Sequence, residues 1–253
     1  MTTRLACWVG DRHMTEREQR PPVVVIGAGG EVGRAIARML IEDGTQVVIA
    51  DASAEQLEAT RTELGIDPRC ALTFDASDTA EVAKQFAQLG KEHGALSALV
   101  NAQGVAGRGL LADITPEQWE RVVRINLTSV FATCQAAVPL LRGIPKAAIV
   151  NLASVAGLRE QPGSLTYATS KAGVVMFSRT LAADLARDDI RVFAVCPTAI
   201  DSAMVRASIP PDQLESYAAA QPMGRMIAVD EIGRVVLGLI RDPYPYTPEP
   251  LVI

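Results

Sequence analysis

The sequence predicts an α/β protein, in which helices cover both faces of a doubly wound parallel sheet. Two observations support this prediction. Short runs rich in Val, Ile and Ala alternate with helical stretches from residue 23 to residue 241, and such runs are typical of strands buried on both faces. A glycine-rich turn follows the first run directly. A (β/α)₈ barrel is the alternative, but the C-terminal part of the chain offers only one weak strand candidate, 251–253.

The predicted elements alternate in chain order. The strands are predicted at 23–27, 45–51, 70–75, 95–101, 146–154 and 190–197. The helices are predicted at 31–44, 53–64, 78–92, 116–141, 164–187, 210–220 and 228–241. The long fourth helix has the clearest start, because Thr115 is a good N-cap, Pro116 suits the first turn and Gln118 completes a capping box.

No linker, composition break or repeat interrupts residues 23 to 241. We therefore predict one domain over residues 23–253. It is preceded by an N-terminal extension, residues 1–22, which ends in two prolines and which we expect to be flexible.

Composition and charge exclude several classes of function. The 253 residues are 49% hydrophobic and carry a net charge of −5, so the chain lacks the basic field that nucleic acid or an anionic membrane requires. No apolar run approaches the ~18 residues of a membrane span. Two histidines and no CxxC pair do not suggest a metal site. We expect a cytoplasmic protein whose partner is a small molecule.

The glycine-rich turn, residues 27–33, is a candidate phosphate-binding site. It has the spacing GxGxxxG and opens the first helix, where backbone N–H groups bind a dinucleotide pyrophosphate in doubly wound folds. Asp51 ends the second strand, where a carboxylate accepts hydrogen bonds from the adenosine ribose. A helix-capping role for Asp51 is the alternative. Since no Lys or Arg adjoins Asp51 in the sequence, we predict NAD rather than NADP.

Four polar residues form a candidate catalytic group. Tyr167 and Lys171 are spaced i, i+4 on a predicted helix and therefore share one face. Ser154 ends a predicted strand, at the edge of the sheet where ligands bind. Asn126 lies among apolar residues within a helix, where a buried amide needs partners or forms a structural hydrogen bond.

Taken together in order, these motifs resemble the short-chain dehydrogenase/reductase family, which has a Rossmann-like single domain. The resemblance runs from Val23 to about Arg241 and adds the segments NAQG (101–104) and CPTAIDS (196–202). It implies a catalytic tetrad of Asn126, Ser154, Tyr167 and Lys171, with Tyr167 as general acid/base. It also implies a set of cofactor contacts: Gly27, Gly29, Gly30, Val32, Gly33, Asp51, Asp75, Ala76, Asn101, Tyr167, Lys171, Pro197 and Ile200.

Several residues depart from the family pattern. Glu31 stands where the family usually has Gly, and its charge is expected to repel phosphate unless it points to solvent. The family's NNAG is NAQG here, which places Gln103 in the motif, and a Pro-rich segment replaces the usual C-terminal strand.

The sequence thus predicts an NAD-dependent oxidoreductase that interconverts a secondary alcohol and a ketone. A non-catalytic nucleotide-sensing or scaffold protein and a related lyase or epimerase are the alternatives. Arg108 and Arg159 are the cations nearest the expected substrate, and we interpret each as a surface residue rather than a carboxylate clamp. Because the helices at 116–141 and 164–187 are apolar on more than one face, we also predict a homo-oligomer, in the form of a homotetramer.

Overall fold

The computed structural model describes residues 20–241 and 249–253. Residues 1–19 of the predicted N-terminal extension lie outside the described part of the chain, so the flexibility of that extension stays a prediction. In the described ranges, no helix has the length and apolar character needed to cross a bilayer.

One parallel sheet forms the centre of the fold, which confirms the predicted doubly wound, Rossmann-like architecture. Its seven strands have the order β3-β2-β1-β4-β5-β6-β7. In chain order, β1 to β7 are Val23–Ile26, Val47–Asp51, Ala71–Thr73, Ala98–Asn101, Ala148–Leu152, Arg191–Cys196 and Leu251–Val252. The order reverses between β1 and β4, and ligands bind at such a switch point in open α/β sheets.

Helices flank the sheet in two groups. In chain order, α1 to α9 are Glu31–Glu42, Ala54–Leu64, Thr79–His93, Pro116–Val123, Ser129–Leu141, Leu165–Leu185, Ala203–Arg206, Leu214–Ala219 and Val229–Arg241. Helix α1 contacts α2 and α9, whereas α3 contacts α5, and α6 contacts α4 and the segment between α4 and α5. The core between these layers consists largely of fully buried Val, Ile, Leu and Ala side chains of the strands.

Three elements differ from their predictions. The helix predicted at 116–141 contains a π-helical segment, Arg124–Thr128, between α4 and α5. The helix predicted at 210–220 is a short 3₁₀ turn followed by α8. The C-terminal strand that we expected to be missing is present, because β7 pairs with β6 and the Thr198 N–H donates to the Ile253 carbonyl at 2.8 Å.

Helix α9 packs closely on α1 at Gly233. A Cβ atom added to Gly233 lies 2.7 Å from Met39 Cγ and 3.0 Å from the Ala35 carbonyl oxygen. Gly238 lies on the same helix, and an added Cβ there meets nothing within 4 Å.

These two glycines allow a matched test of the packing. We expect Gly233→Ala to lower the free energy of unfolding by about 1–3 kcal/mol, because the methyl group overpacks the helix contact. Gly238→Ala is expected to raise it by up to about 1 kcal/mol through helix propensity. Urea denaturation of both variants measures the difference, and equal shifts would contradict the proposed tight packing.

Candidate active site

A cavity of about 920 Å³ lies along the carboxyl edge of the sheet. It brings together most of the residues that the sequence predicted for the site. These are Gly27, Gly29, Gly30, Val32, Gly33, Asp51, Asp75, Ala76, Ser154, Tyr167, Lys171, Pro197 and Ile200. Their functional roles remain predictions, but their convergence on one cavity is a property of the structure.

The glycine-rich turn is built by close backbone approach. Gly27 has φ +80°, and an added Cβ would lie 2.5 Å from the Gln103 nitrogen. A Cβ on Gly33 would lie 2.2 Å from the Gly27 carbonyl oxygen. A larger residue at Gly33 therefore pushes α1 away from the end of β1, and a larger residue at Gly27 collides with the backbone that follows β4.

The N-terminus of α1 is suited to an anion. Gly30 is the N-cap residue, and no side chain caps the helix. The N–H groups of the first turn therefore have no side-chain acceptor at the N-cap position. An added Cβ on Gly30 would meet only the Gly27 carbonyl oxygen, at 3.5 Å, which leaves space above the turn. These features fit the pyrophosphate of a dinucleotide cofactor.

Asp51 is held beside this turn by two backbone contacts. Its Oδ2 atom accepts a hydrogen bond from the Gly29 N–H, and its Oδ1 atom accepts one from the Ser53 N–H, both at 2.9 Å. The structure also brings a guanidinium near, since Arg34 donates to the Gly29 carbonyl at 3.3 Å. Sequence neighbours did not reveal this cation. Arg34 is also bound by Glu63, at 3.2 Å.

Glu31 turns away from the glycine-rich turn toward the segment after β6. Its carboxylate accepts a hydrogen bond from the Ala203 N–H at 2.5 Å and forms an ion pair with Arg206 at 3.1 Å. Arg206 also pairs with Asp201. The charge that we expected to repel phosphate is thus partly neutralised by a cation on α7.

Ser154, Tyr167 and Lys171 form a continuous polar group. A hydrogen-bonding interaction with Ser154 lowers the pKa of Tyr167, and Lys171 Nζ lies 5.8 Å from the centroid of the Tyr167 ring. Lys171 is buried and donates to the Leu152 carbonyl at 2.7 Å. Tyr167 and Lys171 lie one turn apart on helix α6. Ser154 lies two residues beyond the end of β5, at the start of a 3₁₀ turn.

Burial dominates the electrostatics of this group. It raises the pKa of Tyr167, and the hydrogen bond with Ser154 opposes that rise only in part. Burial also lowers the pKa of Lys171 to about 8. Desolvation is the largest of the effects on the Tyr167 pKa, so the buried phenol is a weaker acid than a free tyrosine.

Asn126 does not line the cavity but lies directly behind it. Its Oδ1 atom accepts from the Val105 N–H at 2.8 Å, and its Nδ2 atom donates to the Val105 carbonyl and to Ser170 Oγ, both at 3.0 Å. A Cβ added to Gly104 would lie 3.4 Å from both Asn126 Oδ1 and Lys171 Nζ. Asn126 and Lys171 therefore flank the same small space.

Asn101 also lies outside the cavity lining, in a buried polar cluster beneath it. Its Nδ2 atom donates to Asn151 Oδ1 at 2.8 Å, and its Oδ1 atom accepts from Thr133 at 2.8 Å. The structure thus shows a packing position for Asn101 and no exposure to the cavity. A cofactor contact for this residue stays a prediction.

Gln103 and Ser202 are two of several polar residues that line the cavity without having been predicted as site residues. Gln103 donates to Ser129 Oγ at 2.9 Å, and its Oε1 atom is buried without a partner among the described residues. Ser202, in the segment after β6, is buried and also lines the cavity. The departure of NAQG from the family motif was a signal for Gln103, whereas Ser202 was indicated only as the last residue of the segment CPTAIDS (196–202).

Comparison with known proteins gives consistent results. A family model described as enoyl-(acyl carrier protein) reductase matches residues 27–247. A 3-oxoacyl-[acyl-carrier-protein] reductase of Thermotoga maritima is 32% identical over 228 residues, which cover 88% of this chain and 91% of that protein.

Two solved structures extend the similarity to the fold. Levodione reductase matches with a TM-score of 0.85 and 29% identity, covering 92% of this chain and 95% of its own. An actinorhodin polyketide ketoreductase with NADPH matches with a TM-score of 0.82 and 29% identity, over the same shares of both chains. Each similarity spans nearly the full length of both proteins.

Proposed function

The chain belongs to the short-chain dehydrogenase/reductase family of oxidoreductases, and from this premise we propose that it interconverts a secondary alcohol and a ketone with NAD. The observation that carries the proposal is the grouping of Ser154, Tyr167 and buried Lys171 in the same cavity as the uncapped N-terminus of α1. A bound nicotinamide supplies or accepts the hydride. The residues of this chain bind the substrate and move the proton.

In the direction of reduction, the Tyr167 hydroxyl donates its proton to the carbonyl oxygen, and the Ser154 hydroxyl donates a hydrogen bond to the same oxygen. The raised pKa of Tyr167 keeps the phenol protonated at neutral pH, which is the form that an acid requires. Lys171, with a pKa of about 8, carries its charge at pH 7 and stabilises the phenolate left behind. Tyr167 is therefore the proposed acid, and Lys171 supplies the charge that its loss of a proton requires.

Replacement of Tyr167 tests the proposed acid. We expect Tyr167→Phe to reduce kcat by roughly 10²–10⁴-fold, because the proton donor is lost, while NAD affinity stays close to that of the wild type. Absorbance of NADH during ketone reduction measures kcat, and calorimetric titration with NAD serves as the control. Near-normal turnover by Tyr167→Phe would falsify the mechanism. Intact NAD binding without turnover of any alcohol or ketone by the wild type would favour the nucleotide-sensing alternative.

The preference for NAD is proposed from Asp51. Its carboxylate stands beside Gly29 at the start of the phosphate-binding turn, where it accepts hydrogen bonds from ribose hydroxyls and repels a 2′-phosphate. The cation of Arg34 would favour the 2′-phosphate of NADP, but Glu63 and Thr60 already bind its guanidinium.

Asp51→Ala is expected to weaken NAD binding. The dissociation constant for NADP divided by that for NAD should fall by tenfold or more, which corresponds to the loss of about one charge-assisted hydrogen bond. Glu55→Ala is a control, since Glu55 is exposed on α2 and does not line the cavity. Both constants are measured by titration of protein fluorescence. Tighter binding of NADP than of NAD by the wild type would overturn the assignment.

A homotetramer is proposed from the outer surface of α5 and α6. Phe131 and Met176 are 45% and 57% exposed, and Phe131 makes an edge-to-face contact with Phe177, with ring centroids 6.3 Å apart. Val130, Val174 and Val175 from the same helices are buried within the chain's own core. An apolar face of this kind needs a second surface to cover it.

The predicted cytoplasmic location remains a proposal as well.

Light scattering tests the assembly. We expect the mass of a tetramer for the wild type at micromolar concentration, and smaller species for the double variant Phe131→Glu, Met176→Glu, because two buried charges oppose association. The control is Met223→Glu, because Met223 is also 57% exposed but belongs to the segment between α8 and α9. A monomeric wild type contradicts the proposal.

A further inference from the structure

Two arginines occupy the side of the cavity next to Tyr167. Arg108 lies on the loop that follows β4, and Arg121 lies on α4. Both line the main cavity, and both also line an adjoining cavity of about 170 Å³ between this loop and α4. Both arginines are exposed and belong to the stretch of wall that the two cavities share.

The loop that carries Arg108 is held in place at several points. Val105 is bound through both its N–H and its carbonyl to Asn126. The Gly109 N–H donates to the Gly163 carbonyl at 3.0 Å. Between these contacts, a Cβ on Gly107 would lie 3.3 Å from the Tyr167 nitrogen and 3.1 Å from Val122 Cγ2. The backbone of Arg108 is thus fixed one residue from a direct contact with the start of α6.

Neither arginine has an ion pair or a side-chain hydrogen bond with the described residues. Most other arginines in the described ranges do, namely Arg34, Arg38, Arg61, Arg69, Arg142, Arg179, Arg206, Arg225 and Arg241. Arg159, which lines the main cavity with Glu160, is likewise without an ion pair. In a chain with a net charge of −5, unpaired cations that converge on a cavity leave hydrogen-bond donors for a ligand.

We propose that Arg108 and Arg121 bind an oxyanion group of the substrate, a carboxylate or a phosphate, while its carbonyl lies at Ser154 and Tyr167. The planar guanidinium binds such groups through two parallel hydrogen bonds. The inference rests on the proposed carbonyl reduction and names the substrate class: ketones that carry an anionic group, either on the small molecule itself or on the carrier to which it is joined. Arg108 is exposed, as the sequence predicted for a surface residue, and the proposal gives it a ligand-binding role as well.

Three probe ketones test the proposal: acetoacetate, its neutral methyl ester, and acetoacetyl-coenzyme A, which carries phosphates. We measure kcat/KM for the wild type, Arg108→Gln, Arg121→Gln and Arg124→Gln. Arg124 is the matched control, because it is exposed three residues after Arg121 and does not line either cavity.

Loss of either cavity arginine is expected to lower kcat/KM for an anionic ketone by roughly tenfold or more, as for a lost hydrogen bond to a charged group. The methyl ester should change by less than about twofold, and Arg124→Gln should match the wild type. A loss confined to acetoacetate identifies a carboxylate, and a loss confined to the coenzyme A thioester identifies a phosphate. Equal losses on all three ketones, or no loss on any, overturn the proposal.

A binding measurement separates this proposal from the proposed function. Calorimetric titration of the wild type with acetoacetate and with coenzyme A needs no turnover. Binding that Arg121→Gln abolishes and Arg124→Gln keeps supports the oxyanion site even if no ketone is reduced, and in that case only the reductase assignment fails. Absence of binding by the wild type in both titrations, together with no preference for the anionic ketones in kinetics, overturns the oxyanion site.

Discussion

The hydrogen bond between the side chains of Asn101 and Asn151 connects the parts of the molecule on which the site depends. The parallel register pairs these two residues at the carboxyl edge of β4 and β5, and their amides meet at 2.8 Å. Asn101 accepts from Thr133 of α5, while Asn151 donates to Ser178 of α6 at 2.9 Å. All of these groups are buried, so a lost partner leaves an unsatisfied polar atom that costs about 1–3 kcal/mol. The cluster therefore fixes both helices relative to the sheet edge.

Helix α6 connects this buried cluster to the candidate catalytic residues. Ser178 lies two turns beyond Lys171, and Ser170, next to Lys171, binds Asn126 of the π-helical segment. Asn126 in turn holds the loop after β4 through Val105. The catalytic group and the wall of the cavity are thus parts of one hydrogen-bonded framework. Its stability comes from packing and satisfied polar atoms rather than from surface ion pairs, which contribute little.

Much of this arrangement was predictable from local sequence patterns. Buried strands appear as runs of Val, Ile and Ala, and the spacing of Gly27 and Gly33 reflects a turn in which only hydrogen fits. Tyr167 and Lys171 share a helix face by periodicity alone. What the sequence did not show depends on distant partners or on small irregularities. Asn101 pairs with a residue 50 positions away. The π-helical segment hardly disturbs helical periodicity, and β7 is a two-residue strand beside prolines.

Glu31 joins the proposed cofactor region to the segment after β6, which lines the same cavity. Its backbone belongs to the first turn of α1, at the proposed pyrophosphate site, while its carboxylate binds Ala203 and Arg206, 172 and 175 positions later. Met204 and Val205, between those partners, line the cavity. A ligand that shifts one end of this contact changes the free energy of the other, and thermodynamic linkage makes such an effect reciprocal. Glu31 thus gives the proposed cofactor and substrate regions a shared contact, through which occupancy of one region would change the affinity of the other.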